Sequence, residues 1–567
     1  MTPPTTAEMT AVPEKWLHCN GQQYKKMVHA GLIWLEQNHQ YVNSLNVFPV
    51  PDGDTGTNML LTMRSAYGRV QDRSEPHVSK MADSVAQGAL MGARGNSGVI
   101  LSQIWRGLAS GLKEKETFDA PDLAYAFQIA ADTAYRGVIR PVEGTILTVI
   151  REGAEEAADA VSKSLDLRFL LERVIERCNQ TLERTPDMLP ILKQAGVVDS
   201  GGQGLIYVLE GMLRYVSGQM GSLEEAAQVV AAQRQEITAQ ELAMPASGII
   251  ENPYDVQFLL MGQNLNVAEV RTRIDAMGDS TVVVGDESTI KVHIHVEDPG
   301  EPISYGISLG KITDVVVENM QMQMEDIVQG NGVAPTVPEA AVETAVIEPG
   351  QIGVVAVAAG AGLADIFRSL GVAFIVNGGQ TNNPSTEEIF QATQDVPSNK
   401  IIILPNNKNI TLAAEAARDL SPKEVMVVPT VTAPQGFSAM LDYEPDGDLA
   451  ETAAVMQACA TEVATGEITR ATRSVTLDGV NVKDGEMIGV VDGRLCASGP
   501  NLENILAQVL AAMEMDDREL VSLYYGADVD VADANQIAAQ IENSYPDVEV
   551  EILPGGQAHY FYILGAE

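Results

Sequence analysis

Two carboxylates stand two residues apart in the run Asn46-Val47-Phe48-Pro49-Val50-Pro51-Asp52-Gly53-Asp54-Thr55-Gly56-Thr57-Asn58-Met59. In a near-extended backbone, residues i and i+2 project to the same side. Asp52 and Asp54 can therefore converge on one or two hard cations, and carboxylate oxygen suits Mg²⁺. Asn58, at the start of the following helix, offers another oxygen or a bond to phosphate, and Asn46 offers one from the preceding turn. A calcium-binding EF-hand loop does not fit. With Asp52 as position one, position six is Thr57 instead of Gly and position twelve is Met63 instead of Glu. The same residues also suit a plain Asp-Gly turn that caps the helix from Thr57.

Two further glycine-rich loops precede apolar helical runs. Gly92-Ala93-Arg94-Gly95-Asn96-Ser97-Gly98 leads into Val99 to Leu108, and Val197-Val198-Asp199-Ser200-Gly201-Gly202-Gln203-Gly204 leads into another helix. A glycine-rich loop at a helix N-terminus is a ready anion site, with Ser97 offering a hydroxyl and Arg94 a charge. Tight helix packing across the glycines, and Asp199 or Ser200 as a simple N-cap, account for the same residues without a ligand. Pro141-Val142-Glu143-Gly144-Thr145-Ile146 reads as one more helix start. The common nucleotide fingerprints are missing. Gly310-Lys311 is followed by Ile312 and has Tyr305 where a P-loop needs Gly, and Gly360-Ala361-Gly362 has Asp365 where the dinucleotide motif needs Gly.

These loops need a scaffold, and helical periodicity supplies it. Tyr24, Met27, Val28, Leu32 and Leu35 recur at helical spacing, as do Leu101, Ile104, Trp105 and Leu108, and Leu170, Leu171, Val174 and Ile175. The expected organisation is a flexible N-terminus over residues 1–19, a helical domain over 20–222, a helical linker over 223–248, an α+β domain over 249–328, a second linker over 329–350 and an α/β domain over 351–567. In the last domain, strand-like Val354 to Ala358, Ala373 to Val376, Ile401 to Leu404 and Val425 to Val428 alternate with helical segments, which predicts a parallel sheet. Ser385 with Glu388 three residues on is a capping box. In the middle domain, Lys291-Val292-His293-Ile294-His295-Val296 sets two histidines on one face of a strand by period two, with Val292, Ile294 and Val296 toward the core. His-x-His is a usable zinc pair.

The chain has 567 residues with 36 Lys and Arg against 77 Asp and Glu, a net charge of −41. Such a chain repels nucleic acid and anionic membrane surfaces. Any phosphate ligand must enter a site where metal ions or N–H groups offset the field. Aromatic residues are 5%, so aliphatic side chains must fill the cores. The four cysteines are scattered without CxxC spacing, which fits a reducing compartment. Neither a secretory pattern nor an apolar run of spanning length is seen. A cytoplasmic location is expected.

The four first-domain motifs in this order resemble the nucleotide-binding domain of the dihydroxyacetone kinase L-subunit superfamily. Taken with Asn377-Gly378-Gly379-Gln380-Thr381-Asn382-Asn383-Pro384-Ser385-Thr386 and Leu404-Pro405-Asn406-Asn407-Lys408-Asn409, the whole chain resembles the ATP-binding subunit of bacterial fatty acid kinase. The resemblance implies a closed helical ring with ATP at one end and two Mg²⁺ held by Asp52 and Asp54, with Asn46 and Asn58 nearby. The L-subunit carries an Asp about where Asn46 stands. Ser97 and Gly98 would bond phosphates, Thr145 and Asp199 would lie near the nucleotide, and Thr57, Gly95 and Asn96 complete the nucleotide-contacting set. The resemblance also implies a structural zinc in the middle domain, held through His293, His295 and Asp255, the last standing where a Cys is usual. The expected partner is a separate fatty-acid-binding protein that presents a fatty acid for phosphorylation, and a homodimer is the expected assembly. A kinase for a small carbonyl such as dihydroxyacetone, and an ATP-binding regulator without turnover, are the competing readings.

Overall fold

A computed structural model describes residues 15–45, 53–138, 140–219, 252, 254–262, 265–285, 289–319, 347–348, 350–380 and 382–567. Asn46 and Asp52, the residues before 15, the linker helix expected over 223–248 and nearly all of the linker over 329–350 lie outside the described residues. The chain forms two compact units, residues 1–223 with 343–567, and residues 224–342.

The larger unit begins with a helical domain. Its helices are α1 (Gly21–Ser44), α2 (Thr55–Gly68), α3 (Val78–Met91), α4 (Gly95–Gly111), α5 (Ala120–Arg136), α6 (Ile146–Val161), α7 (Leu167–Met188), α8 (Pro190–Ala195) and α9 (Ser200–Val216). A short antiparallel pair, β1 (Cys19–Asn20) with β2 (Thr117–Phe118), ties the start of α1 to the start of α5. Each helix from α1 to α7 packs on the next, α7 packs on α9, and α9 returns to α1, closing a ring. The apolar stripes read from the sequence face inward. Tyr24, Met27, Val28, Leu35, Leu101, Ile104, Trp105, Leu170 and Val174 are all buried in one core. With so few aromatics, methionines fill the gaps around them. Trp105 donates its Nε1–H to Met63 Sδ at 3.2 Å, and Tyr24 meets Trp105 and Phe118 edge-on.

The rest of this unit is α/β. Strands β7 (Ile352–Ala358), β8 (Phe374–Asn377), β9 (Lys400–Leu404) and β10 (Glu424–Val427) form a wholly parallel sheet in the order β10-β9-β7-β8. β7 is buried along its whole length, as expected for a strand covered on both faces. The expected capping box is present, since Ser385 caps the helix Thr386–Asp395 and Glu388 returns to the Ser385 N–H. The later strands do not extend that parallel sheet. Strands β11 (Ala464–Arg470), β14 (Met487–Val491), β15 (Arg494–Gly499), β16 (Leu520–Tyr525), β17 (Glu549–Pro554) and β18 (Tyr560–Ala566) build a second sheet in which only β16 and β17 run parallel. β14 and β15 are joined by the tight Asp492-Gly493 turn, where both residues have positive φ, whereas β18 pairs with β11 and β16 across longer stretches of chain. Between β11 and β14, β12 (Val475–Leu477) and β13 (Val480–Val482) form a separate hairpin.

The smaller unit holds one antiparallel sheet, β4 (Asp279–Gly285), β5 (Thr289–Val296), β3 (Tyr254–Met261) and β6 (Lys311–Asn319), in that order. The helices Val267–Asp275 and Gly300–Leu309 belong to it, the second unforeseen in the sequence. Val292, Ile294 and Val296 are buried as expected. The backbone register makes Asp255 the cross-strand partner of His295, and Gln257 the partner of His293. The side chains of Asp255, His293 and His295 lie outside the described residues. Among the described residues, no group of three or more His, Cys, Asp or Glu could hold a metal ion, so zinc gains no support here. No helix among the described residues is long and apolar enough to cross a membrane.

Candidate functional site

Asp54 stands at the N-cap position of α2, which begins at Thr55 and not at Thr57. Its side chain makes no capping bond. The cap comes from Asn43 at the end of α1, whose Oδ1 accepts the N–H groups of Gly56 at 2.8 Å and Thr57 at 3.1 Å. Asn43 Nδ2 also donates to the Thr57 hydroxyl at 3.0 Å. The simple reading of Asp54 as a turn-and-cap residue therefore fails, because another side chain does that work. Asn43 was missed in the sequence, where it reads only as a polar residue at a helix end.

The other loops converge on the same place. Asp54, Thr55 and Asn58 line a cavity of about 370 Å³ together with Asn96 and Ser97 from the start of α4, Thr145 and Ile146 from the start of α6, and Asp199, Ser200 and Gly201 from the start of α9. The first turns of α2, α4, α6 and α9 thus border one space, and positive helix-dipole ends suit such a place to an anion. The volume is in the range of small-ligand sites. Among the described residues, no histidine lines it. Ser97 Oγ lies 3.5 Å from Thr55 O and Ser200 Oγ 3.4 Å from Thr55 Oγ1, so α2, α4 and α9 meet at their first turns. Thr145 caps α6 and its hydroxyl donates to Val142 O at 2.8 Å. Glu143, in the same loop, accepts from Tyr135, Thr148 and Arg151. Burial pushes its carboxyl up, but these donors bring it net below the usual range.

Asp199 caps α9 by accepting the Gly202 N–H at 2.7 Å. Desolvation pushes its carboxyl up to about 6, against the lowering effect of the Gly202 and Ile146 N–H groups. Of the glycines, Gly95 has φ +56° and no room for a side chain beside Asn58, which lets the chain turn sharply into α4. Gly98 is buried, and a Cβ there would run into Thr62 of α2. It serves helix packing. Thr57, Gly95 and Gly98 are not among the cavity's lining residues, whereas Asp54, Asn58, Asn96, Ser97, Thr145 and Asp199 are.

The cavity is completed from far along the chain. Lys408 and Asn409, in the loop after β9, line it as well, as does Arg140. Asn96 Nδ2 donates to Lys408 O at 3.4 Å and Asn409 Oδ1 at 3.5 Å. Arg94 does not reach the cavity as an anion ligand. It ion-pairs with Glu388 at 3.0 Å and donates to Asn383 O at 2.8 Å. Burial raises the Glu388 carboxyl, but Ser385 and Arg94 hold it below its ordinary range. Thr386 N donates to Ala93 O at 3.0 Å, and Ala93 and Val99 are buried in the core of the parallel sheet. Asn383 Nδ2 donates to Asp54 Oδ2. The Asn382–Thr386 and Leu404–Asn409 segments were visible as motifs in the sequence, but nothing there tied them to the Asp54 loop.

Three family models match the chain in succession. They are a DAK2 domain over residues 49–214, a FakA-like fatty acid kinase middle domain over 251–327 and a FakA-like fatty acid kinase C-terminal domain over 353–567. Protein YloV of Bacillus subtilis is 37% identical over 562 residues, spanning 97% of this chain and 99% of that protein. The protein SAR1202 of Staphylococcus aureus is 37% identical over 555 residues with the same shares. A fatty-acid-binding DegV family protein from Thermus thermophilus aligns with 38% of this chain and 99% of its own, at 12% identity and a TM-score of 0.29, too distant to bear on the site. With three matching domains in order along the chain, and relatives alike along nearly their full length, the chain belongs to the FakA-like fatty acid kinase family.

Proposed function

We propose that this protein transfers the γ-phosphate of ATP to the carboxylate of a fatty acid held by a separate acyl-binding protein, giving an acyl phosphate for phospholipid synthesis. The observation that carries the reading is the single cavity into which Asp54, Asn58, Asn96, Ser97, Thr145 and Asp199 are gathered. The donor set fits Mg²⁺. Asp54 is relieved of capping, and the buried Oδ1 of Asn383, whose Nδ2 donates to Asp54, has no hydrogen-bond partner among the described residues. Asp54 would hold the ion together with Asp52, Asn46 and Asn58. Bound Mg²⁺ supplies charge that offsets repulsion between the phosphates and the acceptor. Ser97 and the first N–H groups of α4 bind and orient the phosphates, and Thr145 and Asp199 border the nucleotide. A carboxylic acid titrates near pH 4 to 5 and is already ionised at neutral pH. No proton has to leave the acceptor. The homodimer and the zinc at Asp255, His293 and His295 belong to the same reading.

The test is acyl phosphate formation trapped with hydroxylamine. The reaction holds the full chain, ATP, Mg²⁺, a fatty acid and a candidate acyl-binding partner, with dihydroxyacetone as the comparison substrate. Product that requires both fatty acid and partner is the expected result. Phosphorylated dihydroxyacetone without any partner would replace this reading by that of a small-molecule kinase.

A further inference from the structure

A nucleotide entering this cavity brings several negative charges to a chain that already carries −41. Fixed positive charge at the cavity therefore has large consequences. Among the described residues, the lysine and arginine side chains that line it are Arg140 and Lys408. Arg94, the cation nearest in sequence to the glycine loop, is committed to Glu388 and to Asn383 O. One of the two lining cations is thus supplied by the C-terminal α/β domain. The loop that carries it is held on both sides. Asn96 reaches Lys408 O and Asn409 Oδ1, Asn409 N donates to Asn407 Oδ1 at 2.8 Å, and Asn407 Nδ2 donates to Gln380 Oε1 at 2.6 Å.

A second contact runs the same way. Asn383 is buried, 2% exposed, and donates Nδ2 to Asp54. An ionised carboxylate can only accept, so the amide must present its nitrogen to Asp54, and this orientation leaves Asn383 Oδ1 without a partner among the described residues. Asn383 is fixed from behind by Arg94, while the adjoining Ser385 forms a bridge with the Arg94 backbone. These restraints fix the amide that holds the Asp54 carboxylate.

The geometry points to a composite site. The C-terminal domain is part of the phosphoryl-transfer centre, with Lys408 binding the nucleotide phosphates and Asn383 acting as the positioning residue for Asp54. This inference rests on the ATP reading above, deepens it, and gives the C-terminal domain a role besides any contact with an acyl-binding partner.

The experiment is binding of a fluorescent ATP analogue to the full chain, titrated with Mg²⁺, without turnover. Lys408→Ala is expected to weaken binding about tenfold, as for loss of a charge-assisted phosphate contact, and Lys408→Arg to restore it to within about threefold. Lys408→Gln keeps the length of the side chain without the charge, and should behave like Lys408→Ala. Asn383→Ala should raise the Mg²⁺ concentration for half-saturation severalfold while leaving Mg²⁺-free nucleotide binding unchanged. A purely structural role would lower the melting temperature of these variants and move neither binding number. Unchanged affinity in Lys408→Ala and Lys408→Gln, with the unaltered chain binding normally, overturns the composite site and spares the ATP reading. Failure of the unaltered chain to bind the nucleotide with Mg²⁺ overturns both.

Discussion

At the scale of single residues, the decisive fact is a division of labour between Asn43 and Asp54. Asn43 satisfies two N–H groups of α2, so the carboxylate is not spent on capping. Asp54→Ala should therefore leave the helical circular dichroism unchanged and abolish acyl phosphate formation. Retained activity in that well-folded variant would remove Asp54 from the site. Asn43→Ala should act in the opposite order, costing about 1 kcal/mol of stability through loss of the cap, with activity falling only as far as the α2 start shifts. Denaturant unfolding alongside the kinase assay separates the two. Asp199 brings a pH dependence. Its carboxyl ordinarily titrates near 3.9 and is pushed up to about 6 in the fold by desolvation. Between those values the folded chain holds a proton that the unfolded chain has lost, so its contribution to stability declines as pH rises from about 4 to about 6. Asp199→Asn keeps a capping oxygen and should flatten that decline. Urea midpoints at several pH values across this window check it, and equal slopes in both proteins would count against the raised titration.

At the scale of elements, close helix approach sets the ring. A Cβ on Gly107 would run into the Ala130 backbone of α5, so Gly107→Val should destabilise the helical domain by about 1–3 kcal/mol through overpacking, read as a lowered urea midpoint. In the smaller unit, register pairs Asp255 with His295 and Gln257 with His293, while Val292, Ile294 and Val296 form the buried face. The zinc proposal then has a clear expectation. His293→Ala with His295→Ala should lower the melting temperature more than it changes the rate of the chemical step. Elemental analysis that finds no zinc in protein purified without chelators would end that proposal.

At the scale of the whole molecule, the helical domain and the C-terminal α/β domain belong to one compact unit. Ala93 and Val99 enter the core of the parallel sheet, and Arg94 spans to Glu388 and Asn383. Arg94→Ala leaves Glu388 without its guanidinium partner, which removes part of the lowering of its carboxyl while the Ser385 hydrogen bonds remain. The expected result is faster amide hydrogen exchange in both 93–98 and 383–388, together with reduced turnover. Faster exchange on one side alone would show that Arg94 does not couple the two segments.

Whatever depends on neighbours in sequence was legible from the residues alone. Apolar spacing placed the helices of the ring, glycine clusters marked the loops that turn into the cavity, and Ser385 with Glu388 announced a capping box, because each is satisfied within a few residues. What depended on residues hundreds of positions apart was not. By its place in the glycine loop Arg94 suits an anion ligand, whereas in the fold it pairs with Glu388. Asn383 and Lys408 looked like parts of a separate lobe until packing set them against Asp54 and Asn96. The parallel run of β7 to β10 was predictable from alternation, whereas the mixed sheet of β11 and β14 to β18 was set by which edges found partners. The sequence alone determined the local backbone and the chemistry at hand. Tertiary structure alone decided which polar groups meet, because a buried charge or amide is assigned its role by the partner that desolvates and satisfies it.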